Sequence, residues 1–506
     1  MALNKEIASA LERVYEVTKR NEGNILATSD ILRADRELLV RTKWLLEIIK
    51  GWYMLVRPDS ISGDTTLWYA NFWVFLRIYL EHLYDKDYCL SAEHSLEMHI
   101  GESTIPKQVV VITRRGGGKP QELPFDTSIY PYCAPSALPE ERATIQGIQV
   151  MTLPYALCKI TPINFKKYPQ NMEIALRSIA SPSHLVQVIV KYKFKQAAAR
   201  LIGAYRFLKD EHMAETLEND LAEAGIVVKP ENPFERSEPT LTAKRGRSPY
   251  SHRIVSMWNS YRQLVIDHFS TPPGLPRNKE KYVRALEEVY TQDAYNSLSI
   301  EGYDVDNDLI ERVKNHKWHP DLDPNDRNTR NVLAARGYFE AYQVVKTSIA
   351  KILEGANPGR VVQQDLQKWY RALFAPSTRA GIIPQEDLYG YRKAAVYIRN
   401  SRHVPLPRES LVDVMETFFT CLEDESHPAV RAVLGHFIFV FIHPYMDGNG
   451  RIGRFILNTM LASGGYPWTV IKVAHRTLYL HSLETASVDK DIIPFVQFVA
   501  KEMSSF

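Results

Sequence analysis

A multidomain fold is predicted: an N-terminal winged helix-turn-helix, a small α/β domain, and an all-α C-terminal half with one β-hairpin flap. Three observations lead there. The chain has 506 residues, and at roughly 150 residues per domain that suggests two to four domains. Residues 1–57 follow a helix, helix, helix, hairpin outline. Residues 228–253 (KPENPFERSEPT, then TAKRGRSPYSHR) are rich in Pro, Ser and charge and read as a linker or mobile arm. The expected domains are 1–60 (winged helix-turn-helix), 61–185 (α/β), 186–255 (helical segment and linker) and 256–506 (helical domain).

Each element has its own signal. Ala8, Leu11, Val14 and Val17 are spaced for one helix face. Thr28-Ser29-Asp30 is placed to cap a second helix, and Asp35 to Leu45 gives a third. Leu45–Arg57 (LLEIIKGWYMLVR) holds two β-rich segments around Lys50-Gly51. Residues 67–84 are aromatic-rich and fit a buried helix. Val109–Thr113 is a strand, followed by the turn-like Arg114–Lys119 (RRGGGK), and Ile145–Thr152 is another strand. Residues 183–225 return to helix, with Leu201, Tyr205, Leu208 and Met213 among the apolar positions. Beyond the linker the pattern is helical, apart from a hairpin at Arg392–His403.

Composition excludes several classes. Hydrophobic residues are 45% and charged residues 24%, which argues against a disordered, collagenous or disulfide-scaffold chain. Lys plus Arg is 62 and Asp plus Glu 59, a net of +3, so overall charge gives no warrant for a nucleic-acid or membrane partner. Cys89, Cys133, Cys158 and Cys421 include no Cys-x-x-Cys; they read as buried thiols in a reducing compartment, not as a zinc site. No stretch reaches the roughly 20 apolar residues of a membrane span, and the N-terminus lacks a signal-peptide core. A soluble, cytoplasmic protein is expected. Locally, Arg33, Arg36, Arg41, Lys43 and Lys50 are candidates for DNA phosphate contacts, interleaved with Asp35, Glu37 and Glu47. Arg114, Arg115 and Lys119 form a second basic cluster. The residues alone leave DNA binding and protein interaction open.

The most informative segment is His443–Arg454, HPYMDGNGRIGR. Gly448, Asn449 and Gly450 tolerate positive φ, so backbone amides can converge there. A glycine turn feeding a helix N-terminus is an anion site. Arg451 and Arg454, three apart, share one helix face and can clamp a polyphosphate. Asp447 offers one hard oxygen, suited to magnesium partly held by phosphate. His443 stands where a general base accepts a hydroxyl proton. Gly448-x-Gly450-x-x-Gly453 also matches the dinucleotide fingerprint, with Phe437–Ile442 as its strand. Against this, Trp468–Thr477 holds no acidic residue, and Ala429–Ile442 is apolar for helical length. A Walker-type loop is absent, since Pro120 follows Gly118-Lys119.

HPYMDGNGRIGR resembles the signature of the Fic family, with Tyr445 in place of the usual Phe. The resemblance extends over roughly residues 256–506. It implies an all-helical domain that transfers AMP from ATP to a protein hydroxyl, releasing pyrophosphate. It implies His443 as base, Asp447 as magnesium ligand, Gly448-Asn449-Gly450 as phosphate cradle, and Arg451 and Arg454 as holders of the phosphate chain. The intact Gly-Asn-Gly-Arg core favours adenylylation over phosphorylation. Arg392–Pro407 (RKAAVYIRNSRHVPLP) resembles the family's nucleotide-covering hairpin, with Val396, Tyr397, Ile398 and Arg399 facing the nucleotide and the free edge pairing with an extended target segment. Tyr479 sits where the family has an aromatic residue near adenine; Ser487 replaces a frequent Asn.

Upstream, Ser297-Leu298-Ser299-Ile300-Glu301-Gly302 resembles the family's inhibitory motif. Ser297 and Glu301, four apart on a helix, face the same way, and the resemblance implies a carboxylate paired with Arg454 in the place of the γ-phosphate. Whether Glu301 also supports removal of AMP stays open. Residues 1–185 resemble AbiE-type antitoxins and related winged-helix regulators, which implies DNA binding and a toxin-antitoxin context. Two function classes follow: a self-inhibited protein adenylyltransferase using ATP and Mg2+, with an accessory DNA-binding module; or a DNA-binding regulator whose Fic-like domain senses ATP. Retention of His443 favours the first. The expected partner is a protein carrying a Ser, Thr or Tyr hydroxyl, with DNA and a second copy of the chain left open.

Overall fold

The structure, a computed structural model, describes residues 2–58, 63–236, 238–241, 248–315 and 329–504. The chain divides into two compact units. The first comprises Met1–Arg245 with Tyr397–Val404, and the second Gly246–Val396 with Pro405–Phe506. The division falls inside the segment 228–253; Ser237 and residues 242–247 of that segment lie outside the described residues.

The first unit opens with α1 (Ala2–Asn21), β1 (Ile25–Ala27), α2 (Arg33–Arg41), β2 (Leu45–Ile49) and β3 (Trp52–Leu55). The strands form an antiparallel sheet in the order β1-β3-β2. The hairpin is where the sequence put it. The expected second helix is not: Thr28–Asp30 makes a single 3-10 turn. Residues 25–27 are taken into the sheet, and the Asp30 carboxylate accepts the Ala27 N–H at 3.0 Å, closing the turn at once. The third expected helix starts earlier and stops at Arg41, because Lys43 turns into the left-handed region (φ 61°).

Next come α3 (Thr66–Tyr84), β4 (Tyr88–Leu90), α4 (Ala92–His99), β5 (Gln108–Thr113), β6 (Gln121–Leu123), β7 (Thr127–Cys133), β8 (Arg142–Ile145) and β9 (Ile148–Met151). A mixed sheet runs β4-β5-β7-β6, parallel between β5 and β7, and the hydrophobic face of α3 shares its core. The strand expected at 145–152 is a hairpin, β8-β9, turning at Gln146-Gly147. Helices α5 (Leu153–Lys159), α6 (Pro162–Lys167), α7 (Pro169–Arg177), α8 (Pro182–Tyr192), α9 (Lys195–Phe207) and α10 (Glu211–Glu223) complete the unit. The four cysteines are free thiols; Cys133, expected buried, is exposed because it ends β7.

The second unit is helical: α11 (Pro249–His268), α12 (Lys279–Ile300), α13 (Asn307–Lys314), α14 (Thr329–Leu353), α15 (Pro358–Arg379), α16 (Leu411–Asp424), α17 (Pro428–Ile442), α18 (Asn449–Ala462), α19 (Arg476–Glu484) and α20 (Ile493–Met503). Phe437–Ile442, which the dinucleotide reading needed as a strand, is the last turns of α17. α17 is apolar on every side because it is the central helix of the core. α18 lies close against it. A β-carbon on Gly453 would sit 2.9 Å from Val440 Cγ2 and 3.0 Å from His436 Nδ1, so only glycine allows this approach. α17 ends because His443 takes a left-handed conformation (φ 54°, ψ 59°) and Pro444 cannot continue the helix.

No hairpin forms at 392–407. Ile398–Ser401 makes a turn, with Asn400 at φ 57°, but no ladder follows it. Pro405 and Pro407 lack amide donors. The donors that remain pair elsewhere: Val404 N–H donates to Ser103 O at 2.8 Å, and Arg402 O accepts the Ile105 N–H at 2.9 Å. The bridge Thr104–His403 is thus the β-pairing this segment makes among the described residues. Arg399 pairs with Asp64 at 3.4 Å within the same unit.

Candidate active site

The turn between α17 and α18 carries HPYMDGNGRIGR. Gly448 caps α18 at φ 81°, a conformation glycine adopts without strain. The Asp447 carboxylate accepts the Gly448 N–H at 2.6 Å. The Asn449 amide braces the turn, donating to Tyr445 O at 2.8 Å and accepting the Tyr445 N–H at 3.0 Å. Asn449 therefore contributes its side chain to loop shape, and only its backbone to any phosphate cradle. Tyr445 is the buried plug; its ring stacks on Tyr370 with centroids 3.8 Å apart and planes 9° from parallel. The first-turn amides of α18 lack intrahelical acceptors, which leaves a partial positive charge at the turn.

His443 stands at the end of α17. Its Nδ1 lies 3.1 Å from Val440 O, so the neutral ring carries its proton on Nδ1 and leaves Nε2 as an acceptor. Burial pushes its pKa down to about 4; the nearby Arg392 charge acts the same way, against Glu301 and Asp447. The imidazole is neutral at physiological pH and able to take a proton.

Two arginines approach from α18. Arg451 is buried, with its guanidinium 5.1 Å from the ring centroids of both Tyr303 and Phe374. These rings hold its charge in place by cation–π attraction, and one nitrogen reaches Asp447 at 3.2 Å. The same residues line a cavity of about 290 Å³ with apolar walls from α14 and α15. Arg454 is also buried. Its Nε donates to Ser297 Oγ at 2.8 Å, and its Nη2 donates to Ser297 O at 3.0 Å and to Glu301 Oε1 at 2.7 Å. Burial opposes the charge, the Glu301 carboxylate together with Tyr479 and Tyr338 outweighs it, and the group stays protonated above its usual range. Arg454 Nη1 and Arg451 Nε are buried without a hydrogen-bond partner among the described residues.

Glu301 ends α12. Its carboxylate lies over the glycine turn, so that a β-carbon on Gly450 would be 2.2 Å from Oε1. One helical turn after another, Asp293, Ser297 and Glu301 face α18. Asp293 is fully buried, accepts the Tyr338 hydroxyl at 2.6 Å, and burial pushes it up to about 6.

Residues 361–461 match the Fic/DOC family. Two curated relatives are similar to the chain. "Protein adenylyltransferase Fic" of Drosophila grimshawi is 30% identical over 221 residues, 43% of this chain and 42% of that protein. The protein of the same name from Culex quinquefasciatus is 30% identical over 223 residues, 43% of this chain and 41% of that protein. The chain thus spans less than half the length of the curated relatives it matches. A solved structure, Fic-1 (residues 134–508) from C. elegans, covers 66% of this chain and 85% of its own at 19% identity and a TM-score of 0.37. The Fic/DOC match takes in nearly all of α15 and α18 and the whole of α17 and the turn, and the site above is built from that segment plus the C-terminal end of α12 with Glu301 and Tyr303.

The structure brings together His443, Asp447, Gly448, Asn449, Gly450, Arg451, Arg454, Ser297 and Glu301. Tyr479 and the 396–399 segment are placed as follows. Tyr479 is buried; its hydroxyl is 2.8 Å from His436 Nε2 and its ring packs on Phe498. Its charge environment includes Arg454 and Glu301, so it stands beside the site, and its contact with adenine stays an expectation. Tyr397, Ile398 and Arg399 run with the first unit, while Val396 is the last residue of the second before that excursion. Sequence reasoning missed Tyr303, Phe374 and Asp293, whose signals are ordinary apolar or helical positions. It also missed Arg392, whose role depends on a carbonyl 51 residues away.

Proposed function

We propose that the second unit is a protein adenylyltransferase that transfers AMP from ATP to a Ser, Thr or Tyr hydroxyl of a target protein, and that Glu301 holds it self-inhibited. One observation carries this reading. An imidazole with a free Nε2 and a helix N-terminus with two buried arginines meet in a single turn, and the second arginine is already paired with Glu301.

His443 Nε2 takes the proton of the target hydroxyl as that oxygen attacks the α-phosphorus. The bond from this phosphorus to the α,β-bridging oxygen breaks, and pyrophosphate leaves. The product is an AMP phosphodiester on the side chain. The α18 amides, Arg451 and Arg454 stabilise the charge that builds on the phosphate oxygens. Among the described residues no cluster of His, Cys, Asp or Glu forms a dedicated metal cage. A lone, mostly exposed Asp447 fits magnesium, which keeps water and phosphate ligands. Asp447 would hold that ion, which neutralises phosphate charge when bound.

Glu301 competes for the same positive site. While it pairs with Arg454, a γ-phosphate has no counter-charge there, and ATP settles in an unproductive pose. The deciding experiment is label position. Incubating the Glu301→Gly variant with a cell lysate and ATP labelled at the α-phosphate should mark a discrete protein band. Label that appears on protein only from γ-labelled ATP would sink the adenylylation reading.

The first unit supports an accessory DNA contact. Arg36, Arg41, Lys43 and Lys50 form no ion pair among the described residues, whereas two of the three interleaved acids are taken, Asp35 by Arg13 at 2.8 Å and Glu37 by Arg33 at 2.8 Å; the third, Glu47, accepts only the Gly51 N–H at 3.3 Å. A gel shift with the upstream DNA of the protein's own gene should be salt-sensitive yet survive competitor DNA. Among the described residues no helix is long and apolar enough to cross a membrane.

A further inference from the structure

His443 occupies left-handed backbone space (φ 54°, ψ 59°), which a residue with a β-carbon holds only where its surroundings fix it. What fixes it is Arg392. The Arg392 backbone N–H donates to Pro444 O at 2.9 Å, and its Nε donates to His443 O at 2.9 Å. The remaining nitrogens turn the other way: Nη1 donates to Ala394 O at 3.0 Å, and Nη2 donates to Leu406 O. The side chain is buried. A planar guanidinium presents its donors in a fixed fork, so it can span three carbonyls at set angles, which a lysine ammonium cannot. Ala394 and Leu406 stand at the two ends of the segment that leaves the second unit at Val396 and returns at Pro405.

We infer that Arg392 is a positioning residue for His443: it ties the His443–Pro444 peptide to both ends of the 394–406 segment and thereby sets the angle at which the imidazole enters the site. The positive charge also helps keep the ring neutral, in balance with the Glu301 and Asp447 carboxylates that face it.

This rests on the adenylyltransferase reading, and the test separates the two. In the Glu301→Gly background, Arg392→Lys and Arg392→Gln are compared for AMP transfer, for affinity toward a non-hydrolysable ATP analogue, and for melting temperature. Small misplacements of a catalytic group cost on the order of 10²-fold. The expected result is a roughly 10- to 100-fold fall in kcat in both variants, with analogue affinity within about twofold of the parent. Lysine should resemble glutamine, since charge without the fork does not span the carbonyls. Unchanged kcat in a folded variant overturns the inference. So does equal loss of analogue binding and kcat, or unfolding of both variants, because Arg392 is then a general framework residue. An inactive Glu301→Gly parent defeats the adenylyltransferase reading, whereas an active parent whose kcat the Arg392 variants leave unchanged defeats the Arg392 inference alone.

Discussion

Replacing Glu301 with glycine tests the inhibitory contact directly. The Glu301–Arg454 hydrogen bond is 2.7 Å long and charge-assisted, and its arginine is 3% exposed while its glutamate is 30% exposed. Hydrogen bonds to charged groups contribute about 1.5–3 kcal/mol net. That contribution opposes every productive ATP pose, because the γ-phosphate must displace the carboxylate. At 1.36 kcal/mol per tenfold, its removal predicts a rise in kcat/KM for AMP transfer of roughly 10- to 150-fold. The fold should survive: Arg454 keeps both Ser297 acceptors, and position 301 is already a helix end followed by Gly302 at φ 85°. The assay is initial-rate incorporation of α-labelled ATP into the target band, with analogue binding measured in parallel. A change under twofold in a folded, analogue-binding variant would refute the argument that Glu301 occupies the phosphate's place.

His443→Ala should lower transfer by about 10²- to 10⁴-fold, the range of a general base, with analogue binding retained; undiminished transfer would remove His443 from the mechanism. In the Glu301→Gly background the acidic limb of kcat/KM should fall near pH 4, because the ring is neutral above that value; a limb near 6.5 would contradict it. His436 is fully buried and its pKa is pushed down to about 4 by that burial. The folded state thus binds fewer protons than the unfolded chain between 6.5 and 4, and stability falls as pH falls through that window, by roughly 3 kcal/mol at 1.36 kcal/mol per pKa unit. Urea unfolding at pH 7 and 4.5 would show it, and His436→Gln should flatten part of the slope. Gly453→Ala forces a methyl group to 2.9 Å from Val440 Cγ2 and should cost about 1–3 kcal/mol by overpacking; an unchanged melting temperature would show that α17 and α18 can separate freely.

Much of the site was legible because its chemistry is local. A turn of Gly448-Asn449-Gly450 followed by a helix places amides and two arginines on one side whatever surrounds them. The spacing of Ser297 and Glu301 likewise fixes them on one helix face. Features that need partners from far along the chain were not legible. The aromatic pair around Arg451 comes from residue 303 and residue 374, and nothing local distinguishes Phe374 from other apolar positions of α15. The partner of the Tyr479 hydroxyl, His436, was likewise not legible, because an aromatic residue in a sequence window does not say what meets its hydroxyl. The hairpin at 392–407 failed for the same reason. Its β-prone residues were real, but the carbonyls and amides that answer them, at Ser103 and Ile105, lie about 300 residues upstream.

By itself the sequence determined what its periodicities and backbone freedoms dictate: a helical C-terminal half, an α/β N-terminal region, and a glycine turn able to gather anions at a helix start. The near-neutral +3 set no partner for the chain as a whole. Tertiary structure alone decided which groups answer one another across distance. It set Glu301 against Arg454, gave Arg451 its two rings, and brought the Arg392 guanidinium to the His443 carbonyl. These are contacts among buried charges and carbonyls, whose energies depend on packing and desolvation, and neither is written in the order of neighbouring residues.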